Sequence, residues 1–292
     1  MNNHLKIEKI KNSVMTVVFY SIGGLLLLFL LALVTYIIIK GFKGFDFSLF
    51  SFSDAGIGNQ FFNTIYLVIL SLIISIPLGT ATGIYMAEYA TQGRFTGFLE
   101  MSIETLSSLP SIVVGLFGYL VFILMTHSRW NLMAGALALF ILNLPLIAST
   151  TVDAFKSLPE NLKEGSFALG ATHWQTIYHV LLPAAATRIM TGVMLAAGRG
   201  FGEAAALLYT AGMSTDIDWT NWNMLSATCP INPFRPGETL ALHIWGARTE
   251  ALAPNAAQIA DLSSAVLVIM IFSFSIISEI INARIRRKTG VK

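Results

Sequence analysis

The sequence predicts an all-α polytopic membrane protein with six transmembrane helices. Of its 292 residues, 55% are hydrophobic and only 12% are charged, whereas a soluble domain carries about a quarter charged residues. A chain with so few charges cannot cover its surface with polar groups, so we expect it to lie in a lipid bilayer. The net charge of +2 is too small to indicate a nucleic-acid partner.

Six stretches are long enough to span a bilayer, which takes about 20 apolar residues. They are residues 12–39, 55–87, 105–128, 130–152, about 189–213 and about 262–283. The first is too long for the core of a signal peptide and lacks a cleavage site, which predicts an uncleaved anchor. In the second, Gly79 and Gly83 have the spacing of a close helix contact. Pro110 interrupts the start of the third, whose hydroxyl groups could line a polar path or satisfy backbone groups that the proline frees.

The distribution of Lys and Arg predicts which side of the membrane each loop faces. Six spans put both termini on one side, and basic residues are enriched in cytoplasmic segments. With the termini inside, twelve basic residues lie inside and five outside. The inner ones are Lys6, Lys9, Lys11, Arg94, Lys156, Lys163, Arg188, Arg284, Arg286, Arg287, Lys288 and Lys292; the outer ones are Lys40, Lys43, Arg129, Arg235 and Arg248. We therefore expect cytoplasmic termini.

This topology divides the chain into three parts. Residues 1–58 form the N-terminal tail, first span and an outer loop; residues 59–283 form a core of five spans; residues 284–292 form a basic cytoplasmic tail. The core contains a cytoplasmic loop at about 153–187 and an outer loop at about 214–260, in which residues 238–247 could form a short helix.

The cytoplasmic loop predicts two short helices, which we call the knob (residues 158–181). Ser157 and Glu160 have the spacing of a capping box, so a helix should start at about residue 158. Gly170 can adopt the left-handed conformation that ends a helix. Thr172 and Gln175 repeat the capping-box spacing, and Pro183 should break or kink the chain before the fifth span. Such a knob suits docking on a partner; a loop packed on its own bundle is the alternative.

Two charges interrupt the fifth span and form the strongest candidate for a chemical role. Arg199 and Glu203 are four residues apart, so on one helix they share a face. Arg199 lies eleven residues after Arg188, roughly 16 Å along the helix and near the middle of a core about 30 Å thick. A charge there costs about 3 kcal/mol, and a guanidinium fits phosphate oxygens.

The surroundings of this pair leave two interpretations open. Gly198, Gly200 and Gly202 leave room for a ligand or another helix, which favours a polar path through the membrane, with Ser111 of the interrupted third span as another candidate lining residue. The alternative is an Arg–Glu pair that only locks two helices together.

Other residue classes exclude several functions. No phosphate-binding loop is present, so we expect no ATP hydrolysis by this chain. Cys229 is the single cysteine, which excludes an internal disulfide, and we interpret it as an ordinary loop residue. Four histidines show no metal-ligand spacing, so we expect no metal site and interpret them as surface residues. They are His127, His173, His179 and His243.

Several stretches together resemble one family. The spacing of Glu164-Gly165-Ser166, Gly170 and Val180-Leu181-Leu182-Pro183 resembles the cytoplasmic loop of the membrane subunits of binding-protein-dependent ABC importers, although Gly165 and Ser166 replace the usual two alanines. Residues 109–116 (LPSIVVGL), 198–203 (GRGFGE), 232–234 (NPF) and 240–245 (LALHIW) look like the A-type permease subunit of phosphate importers. The resemblance covers most of the chain after about residue 60.

This resemblance implies a MetI-like permease without enzymatic activity in the bacterial inner membrane. It implies that Glu164, Gly170, Ala171 and Thr172 couple the chain to an ATPase, and that Arg199, Glu203, Gly200 and Ser111 line the substrate path. The implied partners are a C-type permease, two ATPase subunits that bind ATP-Mg, and an extracytoplasmic phosphate-binding protein, besides membrane lipid; this chain itself would hold no cofactor. A permease for sulfate or molybdate, and a secondary transporter, are the alternatives.

Overall fold

The computed structural model describes residues 2–43, 47–53, 56–91, 93–214, 216–249 and 256–289, and within them all regular structure is helical. The helices are α1 (Asn2–Gly41), α2 (Gly58–Ile84), α3 (Arg94–Ser108), α4 (Ser111–Gly118), α5 (Leu132–Lys156), α6 (Glu160–Ala168), α7 (His173–Thr176), α8 (Leu182–Gly202), α9 (Ala205–Thr210), α10 (Leu240–Thr249) and α11 (Ala256–Thr289). A 3-10 turn covers Phe47–Phe50, and π-helical turns at Tyr85–Tyr89, Tyr119–Leu124 and Ile177–Leu181 extend or join helices.

The predicted all-α membrane architecture is confirmed. Within the described residues, five helices are long and apolar enough to cross a membrane: Ile7–Gly41, Gly58–Tyr89, Leu132–Lys156, His173–Gly202 and Ala256–Arg286. A bent pair, Arg94–Ser108 with Ser111–Leu124, makes a sixth if it is counted as one span.

The bend in the third span is centred on Pro110. α3 and α4 meet at 102°, and Leu109 and Pro110 between them have extended backbone, with ψ of 132° and 136°. Proline lacks an N–H group and disfavours helical backbone in the preceding residue, which explains the break. The hydroxyls before it bond to their own helix: Thr105 donates to the Met101 carbonyl and Ser108 to that of Thr105, at 2.7 and 2.8 Å.

α2 and α5 form the centre of the bundle. A β-carbon at Gly79 would lie 2.8 Å from Ile147 Cγ2, and Gly83 approaches Thr151 of α5 as closely, so both glycines are required for the contact. The predicted packing role of this pair is confirmed. α1, in contrast, buries none of its most apolar window in the chain and meets α11 near its end, where Lys40 pairs with Asp261 at 3.4 Å.

The bundle has two ends, the knob end and the opposite end, which we call the far end. The far-end loop (residues 216–239) is held on the polar start of α2. Trp219 Nε1 donates to Asn59 Oδ1 at 3.0 Å, and Arg235 donates to Asn63 Oδ1 at 2.6 Å. The predicted short outer helix is α10.

Arg235 is almost completely buried, at 1% exposure. Its guanidinium donates to the carbonyls of Pro230 and Pro236 as well as to Asn63. Burial lowers the pKa of Arg235 to about 10. A buried charge is tolerated only when its donors are satisfied, so this side chain organises the far-end loop around itself.

Candidate functional site

The turn of the knob follows the sequence prediction at Gly170 and Thr172. Gly170 has φ of +83°, and no heavy atom lies within 4 Å of the position of its absent β-carbon. Its N–H donates to the Phe167 carbonyl at 2.9 Å, which closes the end of α6. Thr172 and Gln175 form the predicted capping box at the start of α7. Both features therefore set the angle between the two knob helices.

The predicted cap at Ser157 and the predicted break at Pro183 are wrong, whereas a kink at Pro183 stays a prediction. Ser157 does not cap α6: its hydroxyl donates to the Ala154 carbonyl at 2.8 Å, and α6 begins at Glu160 after Pro159. Pro183 does not break the chain either, because the span is continuous over His173–Gly202. Pro183 lies in the first turn of α8, directly after a π-helical turn, where the changed hydrogen-bond register accommodates its missing donor.

The outer surface of the knob exposes several large apolar side chains. Leu169 at the turn is 90% exposed, and Trp174 and Tyr178 are 62% and 57% exposed. A cavity of about 420 Å³ lies beside the turn and is lined by Leu162, Ser166, Leu169, Ala171, Gln175, His179 and Val180. An exposed apolar patch of this kind on a capped, well-defined turn is typical of a protein-binding surface.

The predicted coupling residues lie on this surface. Glu164, Gly170 and Thr172 are exposed, and Ala171 is half-buried and lines the cavity. Gly170, Ala171 and Thr172 are consecutive at the turn between the two knob helices, whereas Glu164 lies on α6 and does not line the cavity.

The base of the knob contains an ion-pair cluster that the sequence did not reveal. Glu88, at the end of α2, accepts hydrogen bonds from Lys163 Nζ at 2.5 Å and His173 Nε2 at 3.0 Å. The ring of His173 also lies 4.7 Å from that of Tyr89. The interpretation of His173 as an ordinary surface residue was therefore wrong. The sequence offered one signal for this cluster, the carboxylate of Glu88 directly after the uncharged stretch 55–87.

Arg199 and Glu203 do not share a helical face, contrary to the prediction. α8 ends at Gly202, and Glu203 has extended backbone with ψ of 124°. The Glu203 carboxylate accepts a hydrogen bond from the Ala206 amide at 3.1 Å, so it caps the start of α9. Because this local hydrogen bond competes with helix continuation, the two side chains separate and form no ion pair with each other.

Arg199 lies on an open face of the bundle. Its side chain is exposed, and the neighbouring Gly198 and Gly202 have no heavy atom within 4 Å of their β-carbon positions. Gly200 points the other way: a β-carbon there would contact Val68 and Leu139 at 3.4 and 3.6 Å. Gly198 and Gly202 therefore leave space around Arg199, whereas Gly200 lets α8 pack on the core.

Ser111 lies at the other interruption of the bundle. It begins α4 and is half-buried. α4 packs in parallel on α9: a β-carbon at Gly115 would lie 2.8 Å from Ala206 Cα, and one at Gly118 would lie 2.8 Å from Thr210 Cγ2. Ser111 and Glu203 are therefore at the same end of this helix pair.

A second histidine in contact with a carboxylate is at the far end. His243 Nδ1 lies 2.8 Å from Glu238 Oε2, and the buried Glu238 also accepts from Gln60 at 3.1 Å. The surface interpretation of His243 was wrong, because α10 packs it against the start of α2. Within the described ranges, no three His, Cys, Asp or Glu residues converge as a metal site would require.

The chain is similar to known transport proteins over most of its length. Residues 79–291 match the family model described as "Binding-protein-dependent transport system inner membrane component". The "Probable ABC transporter permease protein YqgI" of Bacillus subtilis is 43% identical over 96% of this chain and 98% of its own. The "Phosphate transport system permease protein PstA" of Pasteurella multocida is 30% identical over 85% and 91%, and that of Xylella fastidiosa is 34% identical over 60% and 63%.

Solved structures share the fold at low identity. The bacterial alginate ABC transporter, in complex with an alginate-bound periplasmic protein, superposes with a TM-score of 0.69 and 16% identity over 95% of this chain and 97% of that chain. The methionine transporter MetNI superposes with a TM-score of 0.57 and 15% identity over 76% and 93%. The chain thus belongs to the family of inner membrane components of binding-protein-dependent transport systems, as a permease subunit of an ABC importer.

Proposed function

We propose that this chain is the membrane subunit of an ATP-driven phosphate importer and forms half of its translocation path. Arg199 is the observation that carries the proposal. It is a cation in the fifth span, three residues before α8 ends at Gly202. It forms no ion pair with Glu203, and its two open glycine neighbours leave room for an anion. Relatives named as phosphate transport permeases support phosphate as the anion.

The sequence predicts that Arg199 lies near the middle of the hydrocarbon core, and its side chain is exposed on the open face of α8. A charge facing lipid at this depth costs about 3 kcal/mol or more. The open face of α8 must therefore be covered by something polar or by a second subunit. A planar guanidinium donates paired hydrogen bonds to phosphate oxygens, so a path between this chain and a homologous C-type permease would satisfy the charge each time an anion passes.

The knob is the proposed docking site for the ATPase. Its turn exposes Leu169 beside Gly170, Ala171 and Thr172, and the exposed Glu164 lies on α6 of the same knob, which suits a cleft on a soluble partner. ATP-Mg would be bound by that partner, with two copies in the complex. Nucleotide-driven movement of the knob would then reorient the spans in alternating access.

The orientation follows from the Lys and Arg distribution. Both termini and the knob would be cytoplasmic in a bacterial inner membrane, so the far-end loop would meet an extracytoplasmic phosphate-binding protein. In this arrangement residues 59–283 form the permease core, with the first span and the basic tail at 284–292 outside it.

Uptake by the assembled complex tests the proposal. Arg199→Gln should assemble normally and lose phosphate uptake, because removing one partner of a bound charge costs about 2–5 kcal/mol, at least about 30-fold. Arg199→Lys should also fail, since an ammonium lacks the paired donors. Arg188→Gln, at the knob end of the same helix and exposed, is the matched control.

Two results would contradict the proposal. Wild-type uptake by Arg199→Gln would remove Arg199 from the path. Transport of sulfate or molybdate in preference to phosphate by the wild-type complex would assign the importer to another oxyanion.

A further inference from the structure

Glu88 connects α2 to both helices of the knob through a single carboxylate oxygen. Oε2 accepts from Lys163 Nζ of α6 at 2.5 Å and from His173 Nε2 at the start of α7 at 3.0 Å. The Glu88 side chain is only 9% exposed, whereas Lys163 and His173 are 37% and 33% exposed. The carboxylate is therefore held inside the base of the knob and its two cations lie around it.

Apolar packing encloses this cluster. Ile84 and Ala87 of the same α2 end pack against a core that includes Phe155, Ile177 and Leu181, and the His173 ring lies against Tyr89. Charge-assisted hydrogen bonds are shorter and stronger than neutral ones, and a low local dielectric strengthens them. Movement of the knob relative to α2 would have to break two such bonds at once.

α2 extends from this cluster to the far end of the bundle. It is fixed along α5 by the close contacts of Gly79 and Gly83. Its other end holds the far-end loop, through Asn59 to Trp219 and through Asn63 to Arg235. One continuous helix thus has the knob bonded to one end and the far-end loop bonded to the other.

We infer that Glu88 is a positioning residue that transmits movement of the knob to α2 and through it to the far end. The inference rests on the proposed function in one respect, the docking of the knob on an ATPase. Lys163 and His173 are its two bonding partners, and loss of the Glu88 charge would leave the knob able to move while α2 stays in place.

The test compares ATP hydrolysis with transport in the purified complex, reconstituted with its ATPase. Glu88→Gln keeps the shape of the side chain and removes its charge. We expect normal complex yield and continued ATP hydrolysis, with phosphate uptake reduced at least about tenfold, so that more ATP is hydrolysed per phosphate carried. The matched control is Glu100→Gln, an exposed carboxylate of α3 without an ion pair among the described residues.

A charge exchange separates transmission from simple stabilisation. The single variants Glu88→Lys and Lys163→Glu should each uncouple hydrolysis from uptake. The double variant restores opposite charges at the same two positions, and we expect it to regain coupling to within a few fold of wild type. A Glu88→Gln complex that hydrolyses and transports in the wild-type ratio would overturn the inference, and so would one whose only defect is low yield.

A measurement independent of the substrate distinguishes failure of this inference from failure of the proposed function. Spin labels at Leu225 and Met125, which are 93% and 74% exposed near the far end, should change separation when ATP is trapped in the wild-type complex and not in Glu88→Gln. If the wild type carries no phosphate but the labels behave in this way, only the phosphate assignment is lost. If Glu164→Lys leaves ATPase binding intact, the docking assignment fails.

Discussion

Replacing Gly170 by alanine should loosen the knob turn by a calculable amount. The residue has φ of +83°, where a β-carbon costs about 1–2 kcal/mol. Nothing lies within 4 Å of that β-carbon position, so no steric clash adds to the backbone term. A free-energy change of this size multiplies the population of the open turn by about 5–30.

Hydrogen exchange measures this opening directly. The amides of Gly170 and Ala171 donate to the carbonyls of Phe167 and Ser166 at 2.9 and 3.2 Å, and they should exchange about 5–30 times faster in Gly170→Ala. Gly165→Ala is the matched control, because Gly165 lies within α6, is exposed and also has open space around its β-carbon position. Alanine there should stabilise the helix by about 1 kcal/mol.

The comparison of these two variants can refute the reasoning. Unchanged exchange in Gly170→Ala would mean that the left-handed turn does not hold the knob together. Equal acceleration in both variants would mean that any added methyl group disturbs α6, whatever its backbone angle. We also expect Gly170→Asp to lose ATPase binding; in either of these cases that loss would have to come from the added charge alone.

Two further substitutions test the packing and the far-end loop by thermal unfolding. Gly83→Val forces a side chain into α5 and should lower the free energy of unfolding by about 1–3 kcal/mol. The control is Gly23→Val on α1, where no atom lies within 4 Å of the β-carbon position and we expect little effect. Equal melting temperatures for the two variants would contradict the packing at Gly83. Arg235→Met leaves Asn63 and two proline carbonyls without their donor, which costs about 1–3 kcal/mol for each acceptor left buried. It should lower the melting temperature far more than the control Arg129→Met at an exposed far-end position. A similar small change in both variants would show that Arg235 does not organise the loop.

The sequence alone determined the features that depend on composition or on neighbours within a few residues. Low charge and long apolar stretches specify a membrane protein, because charged or unpaired polar groups are costly in the hydrocarbon core of a bilayer. The turn at Gly170 and the break at Pro110 follow from the backbone preference of a single residue. The capping box at Thr172 follows from hydrogen bonds to Gln175, three residues further along the chain. These features were predicted correctly because the groups that form each of them lie within one short segment.

Only the tertiary structure decided which side chains meet across the chain. Glu238 and Gln60 are 178 positions apart and form a buried hydrogen bond that no local spacing predicts. His173 and Glu88 are 85 positions apart, and their contact depends on how α2 and the knob pack, which no local pattern encodes. Free energy is gained by satisfying a buried charge with whichever donor the packing brings near, so the partners of buried groups are properties of the fold as a whole.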